Sequence, residues 1–213
     1  MKKLVFYSNQ FEPDADEVDS RLMELIGKPH PSIGFIPSCA DPDRSYFRSC
    51  QIYYGRYGAT MPVYFELDVC YQPDLLESLL ACDAIHLSGG NTCNFLHWLR
   101  IRQMIPHLLN FVDRGGVLIG VSAGSILMTP DISTTDFFGD KSDFGIESSA
   151  ALNLVDFSFV PHIGKIPLTV LQDYSRQHQV TLYGCHDEDG IIIDDDEIDF
   201  IGNVIKIVNG EIE

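Results

Sequence analysis

Hydrophobic positions along this chain follow two rhythms. Short, nearly unbroken apolar runs rich in β-branched and aromatic residues alternate with longer stretches in which apolar residues recur at helical spacing. That alternation predicts βαβ units around a mostly parallel sheet, with helices on both faces. The runs Lys3–Ser8, Ser32–Pro37, Pro62–Val69, Asp83–Ser88 and Gly116–Val121 predict five strands. Between them, Asp16–Gly27 predicts a helix with Val18, Leu22, Leu25 and Ile26 on one face. Pro42–Gly58 and Asp74–Ala81 predict two more helices, and Cys93–Arg114 a helical region interrupted near Pro106.

The second half is less regular. The chain is expected to turn helical from Ser125 until Pro130, and Thr129–Ala151, rich in Asp, Ser, Thr and Gly, reads as a long loop over one face. Asn153–Val160 predicts a sixth strand stopped by Pro161-His162, followed by a helix over Pro167–His178. Val180–Gly184 and Gly190–Ile193 are strand-like, and Ile198–Ile212 is expected to end as a hairpin turning at Asn209-Gly210. The 213 residues suit one well-buried α/β domain, and no repeat, low-complexity tract or linker divides them. The expected organisation is a single domain, 1–213.

Composition narrows the class. Apolar residues make up 45% and charged residues 21%, as in an ordinary globular protein, and no apolar run approaches the ~20 residues needed to cross a membrane. The basic tip at Lys2-Lys3 precedes only a short apolar run without a small-residue cleavage site, so a first strand is expected there rather than a signal peptide. Six cysteines (Cys39, Cys50, Cys70, Cys82, Cys93 and Cys185) stand singly, without zinc-type spacing, and suggest reduced thiols in a cytoplasmic protein. A net charge of −17 argues against nucleic acid or an anionic membrane as partner.

The chemistry gathers where strands end. Gly120-Val121-Ser122-Ala123-Gly124 fits G-x-S-x-G at a strand-to-helix junction, where a sharp turn exposes a serine hydroxyl and small neighbours avoid clashes. Ser122 is therefore the candidate nucleophile, with the Ala123 amide able to point at an oxyanion. Ser88-Gly89-Gly90-Asn91-Thr92 also follows a strand, and its glycines allow close backbone approach to a ligand. Asn91 and Thr92 are candidate substrate contacts, and either is equally suited to cap the next helix.

A serine needs a base, and among seven histidines His162 has the most suitable seat, at a strand end after Pro161. His86 reads as a packed strand residue and His186 as a lesser competitor. Asp187-Glu188-Asp189-Gly190 offers carboxylates to orient the histidine, and Asp136 in the long loop is another option. Asp194-Asp195-Asp196-Glu197 reads as a solvated turn. No metal or organic cofactor is required by this set.

Taken in order, Gly89-Gly90-Asn91-Thr92, Gly120-Val121-Ser122-Ala123-Gly124, Ala151-Leu152-Asn153-Leu154-Val155-Asp156-Phe157 and Val160-Pro161-His162 resemble the dipeptidase E and cyanophycinase family of serine peptidases. The resemblance implies a flavodoxin-like α/β fold akin to class I glutamine amidotransferases, Ser122 as nucleophile, His162 as base, and an oxyanion hole from the Gly90 and Ala123 amides. Its third residue falls on Asp189, where the family commonly has Glu; Glu188 and Asp136 remain alternatives. Dipeptidase E members cleave dipeptides with an N-terminal aspartate and hold that side chain with an arginine after the histidine. Here Ile163–His178 contains only Lys165 and Arg176, which makes Lys165 the candidate replacement.

The expected activity is a cytoplasmic serine exopeptidase acting on dipeptides or short peptides, and a homo-oligomer is left open. A small-ester hydrolase and a non-catalytic binding module with a degenerate site are the rivals. Glutaminase chemistry is disfavoured because it uses a cysteine thiolate where this chain has Ser122.

Overall fold

The computed structural model describes residues 2–11, 15–145 and 148–213. Its centre is a seven-stranded sheet in the order β3-β2-β4-β5-β1-β8-β9. The strands are β1 (Lys3–Tyr7), β2 (Ser32–Ile36), β3 (Thr60–Tyr64), β4 (Ala84–Leu87), β5 (Val117–Val121), β8 (Gly190–Asp194) and β9 (Glu197–Ile201). β1 to β5 run parallel, and β8 and β9 extend the sheet antiparallel beyond β1. A four-stranded sheet, β11-β10-β7-β6, is built from β6 (Ser158–Val160), β7 (Thr181–Gly184), β10 (Ile205–Val208) and β11 (Glu211–Ile212).

The unbroken apolar runs have a simple cause: β1, β2, β4 and β5 are buried on both faces, and only the edge strand β3 alternates. Leu4, Phe6, Ile85, Leu87 and Leu118 enter one core with residues of α4 (Thr92–Ile101), α5 (Met104–Asp113) and α6 (Ala123–Leu127). Val5, Tyr7, Ile33, Phe35 and Ile119 enter the other with α1 (Asp16–Ile26) and α2 (Ser45–Gly55). The short helix α3 (Leu76–Leu80) adds Leu79 to the first core, and α7 (Leu168–His178) covers the smaller sheet through Leu171, Leu182 and Ile207. The mostly parallel α/β architecture is the expected one. Among the described residues, no helix is long and apolar enough to cross a membrane.

The helical region over Cys93–Arg114 is interrupted near Pro106, with the break itself at Arg102-Gln103 and Pro106 in the first turn of α5, where its missing N–H has no intrahelical partner to lose. Several local expectations need correction. Thr129–Ala151 is more ordered than a loop, with a 3₁₀ segment at Ser133–Phe138 and a bridge between Asp131 and Ala150; Ile146 and Glu147, also in that stretch, lie outside the described residues. Only Ser158–Val160 of the expected sixth strand is extended. The C-terminal stretch divides between sheets: β9 pairs with β8, while β10 and β11 form the hairpin across Asn209-Gly210, both at positive φ.

Candidate active site

The carboxyl ends of β1, β2, β4 and β5 lie side by side, and the residues just beyond them share one cavity of about 450 Å³. Ser122 and His162 lie on its wall. Open α/β sheets generally bind ligands at this end.

Ser122 occupies an elbow between β5 and α6, at φ 49° and ψ −104°. An L-residue held there stores on the order of 1–3 kcal/mol of strain. The surroundings hold it: its N–H donates to the Tyr7 carbonyl at 2.9 Å, and its carbonyl accepts from Ile126 N–H at 3.0 Å. The flanking glycines are a steric necessity. A Cβ on Gly120 would lie 2.5 Å from the Gly124 carbonyl carbon, and one on Gly124 would lie 2.1 Å from the Leu87 carbonyl oxygen. The small residues thus let the turn press against β4 while the serine side chain stands clear.

His162 follows β6 at φ 55° and ψ 34°. Its N–H donates to Ser8 Oγ at 2.8 Å, and that hydroxyl donates to the Cys185 carbonyl at 3.2 Å. The buried Ser8, at the end of β1, therefore ties the smaller sheet to the larger one and sets the histidine over the elbow. Nε2 of His162 is 3.2 Å from Ser122 Oγ, and Nδ1 is hydrogen-bonded to Asp187 Oδ1. A carboxylate on Nδ1 favours the tautomer with its proton there, leaving Nε2 to accept from the serine.

The carboxylate that reaches His162 is thus Asp187, not Asp189. Asp189 is fully buried; its Oδ2 accepts from His186 N–H at 2.8 Å and its Oδ1 from Asn203 N–H at 2.9 Å. It braces the turn that presents Asp187. Glu188 is exposed beside Lys165, and Asp136 is exposed in the 3₁₀ segment, with no hydrogen bond to His162.

Gly90 has φ +135°, and a Cβ there would fall 2.1 Å from Ser38 Oγ. The hydroxyls of Ser38 and Ser88 both donate to the Gly89 carbonyl, at 2.7 and 3.0 Å. Because a trans peptide directs C=O and N–H oppositely, fixing that carbonyl also fixes the Gly90 N–H. Gly89 packs against Ser122, its virtual Cβ 3.7 Å from the serine Cβ. Ala123 opens α6, so its N–H has no acceptor within the helix.

Three expected substrate contacts fall elsewhere. Asn91 caps α4, accepting from Asn94 N–H at 2.8 Å, and donates to the Lys141 carbonyl at 3.0 Å. Thr92 is buried, and its N–H donates to Asp140 Oδ2 at 2.8 Å. Neither lines the cavity. Lys165 lines a separate cleft of about 170 Å³ with His186, Asp187 and Glu188. Ser8 and Ser38 belong to no motif; each is a small polar residue just past an apolar strand, the only trace either leaves in sequence. Among the described residues, no group of three or more His, Cys, Asp or Glu side chains is arranged to hold a metal ion.

The chain itself is similar to a group of known proteins. The family model for peptidase family S51 matches residues 4–201. The uncharacterized peptidase Lin0382 of Listeria innocua is 27% identical over 154 residues, covering 68% of this chain and 70% of that one. Peptidase E of Nostoc sp. is 28% identical over 148 residues, 66% of this chain and 56% of its own length. A crystal structure of a peptidase E-like protein from Listeria monocytogenes EGD-e superposes with a TM-score of 0.74 at 24% identity, covering 94% of this chain and 98% of that one, and shows the shared fold. With the family model spanning nearly the whole chain, this protein belongs to peptidase family S51 and is a serine peptidase.

Proposed function

We propose that the enzyme hydrolyses dipeptides and short peptides through a Ser122–His162–Asp187 triad. The observation that carries this reading is the position of His162, bonded through Nε2 to Ser122 and through Nδ1 to Asp187. Ser122 Oγ attacks the scissile carbonyl carbon as its proton passes to His162 Nε2, and Asp187 stabilises the imidazolium. The Gly90 and Ala123 amides donate to the tetrahedral oxyanion; losing one such donor typically costs ~100- to 1,000-fold in turnover. Collapse breaks the C–N bond, the departing amine takes the proton from His162, and a water activated by the same imidazole releases the acyl group.

In this reading residues 1–213 act as one catalytic unit in the cytoplasm, on short peptides and not on nucleic acid or membranes. The unpaired state of all six cysteines fits a reducing compartment. An N-terminal aspartate, which the resemblance suggests, would find no lysine or arginine on the cavity wall among the described residues. The test is fluorophosphonate labelling together with amine release from Asp-Leu, Ala-Leu and Leu-Leu. Labelling of the natural protein but not of Ser122→Ala, with Ser122-dependent cleavage of at least one dipeptide, is expected. Labelling with ester but no peptide cleavage would move the activity to esters, and no labelling would sink the triad.

A further inference from the structure

We propose that Asp41 selects substrates whose acyl-side residue carries a positive side chain, lysine or arginine; the proposal rests on the peptidase reading of Ser122. The cavity runs from Ser122 and His162 past the Gly89-Gly90 turn to the loop after β2. There Tyr46 supplies exposed aromatic wall over the fully buried Phe35, Asp41 is the sole carboxylate on the lining, and no Lys or Arg lines it among the described residues. A long aliphatic side chain ending in a cation suits that wall, because its methylenes cover aromatic surface while its head meets a carboxylate.

Asp41 is held in place. Its Oδ2 accepts from Phe47 N–H at 3.0 Å, and its own N–H donates to Tyr64 Oη at 3.3 Å. The adjacent Ala40 N–H donates to Asp68 Oδ2 at 3.0 Å, and Tyr64 Oη donates to Glu66 Oε2 at 3.1 Å. More carboxylates thus stand behind the loop, in a chain of net charge −17. The nearby cation Arg44 is drawn onto the Tyr64 ring, its guanidinium carbon 4.7 Å from the centroid, and does not line the cavity. Lys165 lines the other cleft, which shares only His162 with this one. An aspartate side chain entering here would meet a like charge; an ammonium or guanidinium would meet its complement.

The test uses calorimetric binding to Ser122→Ala protein, so that it stands apart from turnover. Lys-Leu, norleucyl-leucine (the same side-chain length without the ammonium) and Asp-Leu are compared. Lys-Leu is expected to bind about 10- to 100-fold tighter than norleucyl-leucine, the range of a charge-assisted hydrogen bond, with Asp-Leu weakest. In Ser122→Ala/Asp41→Asn protein the gap between Lys-Leu and norleucyl-leucine should close while norleucyl-leucine affinity is kept.

Equal weakening of all three peptides by Asp41→Asn would overturn the proposal, since Asp41 would then serve the α-ammonium or the loop. A preference for Asp-Leu, or no advantage of Lys-Leu over norleucyl-leucine, would also overturn it. If Asp41→Asn does not fold, the order of the three peptides on Ser122→Ala protein decides alone. Lys-Leu preference without turnover by the natural protein would count against the catalytic reading and leave the pocket assignment standing.

Discussion

Two histidines sit near the carboxyl end of the same sheet and have opposite surroundings. His86, in β4, is fully buried, stacked on Phe35 with ring centroids 5.0 Å apart, and reached at Nδ1 by the Tyr54 hydroxyl at 2.8 Å. Tyr54 Oη in turn accepts from Gln10 Nε2 at 2.8 Å, and His86 Nε2 has no hydrogen-bond partner. His162 keeps 20% of its side chain exposed, faces a serine with one nitrogen and a carboxylate with the other, and lines the cavity. The contrast carries the proposed division of roles: the imidazole assigned as base has a carboxylate on one nitrogen and room for substrate on the other side. Burial with a neutral partner gives a structural ring instead.

The largest expected effect breaks the pair apart. His162→Ala and Ser122→Ala should each lower kcat on the order of 10⁴- to 10⁶-fold on whichever dipeptide is cleaved. His86→Phe should leave kcat within a few-fold, because the new ring keeps the stack on Phe35 and Tyr54 keeps Gln10. Comparable losses from both histidines would mean that the Gln10–Tyr54–His86 chain takes part in the chemistry after all.

A second contrast lies within three residues of one turn. Asp187 touches His162, whereas Asp189 accepts from two backbone N–H groups and braces the turn. Asp187→Asn should therefore lower kcat on the order of 10³- to 10⁴-fold with the melting temperature little changed. Asp189→Asn turns one acceptor into a donor facing an N–H, at a cost of about 1–3 kcal/mol. That should lower the melting temperature by roughly 2–4 °C per kcal/mol while changing kcat less than Asp187→Asn does. The reverse ranking would return the orienting role to Asp189.

That pair also marks the limit of what the chain discloses before it folds. The parallel strands were legible because Leu4, Val5, Phe6 and Tyr7 are apolar without alternation, and both faces of β1 are in fact buried. The elbow at Ser122 was legible because its glycines answer a local steric demand, and the seat of His162 because Pro161 ends a strand. The choice between Asp187 and Asp189 was not. It depends on how Ser8 N–H and Asn9 N–H pin the turn through the Asp189 and Asp187 carbonyls, at 3.4 and 3.2 Å, which is a contact across more than half the chain. Asp41 was hidden for the same reason: its loop joins the cavity only because β2 lies beside β4. Asn91 and Thr92 looked like ligand contacts because capping residues and binding residues share the same chemistry.

The smallest expected effect sharpens the histidine comparison through pH. Burial pushes His86 down from 6.5 to about 3. Between those values the unfolded chain takes up a proton that the folded one refuses, so stability falls as pH falls. The contribution is intact above about 6.5 and declines below it by about 1.4 kcal/mol per pH unit. Asp19 acts with the opposite sign: burial raises its carboxyl above 3.8, so the folded chain holds that proton longer and gains stability on acidification. Denaturant unfolding followed from pH 7 to pH 5 reads the sum of the two, and replacing residue 86 isolates the histidine's share. His86→Phe should flatten the slope in that window, by an amount that grows toward a limit of about 1.4 kcal/mol per pH unit at its acid end, whatever it does to stability at pH 7. An unchanged slope would mean that His86 charges inside the folded protein, which requires a partner for Nε2 and would make the two histidines more alike than their surroundings imply.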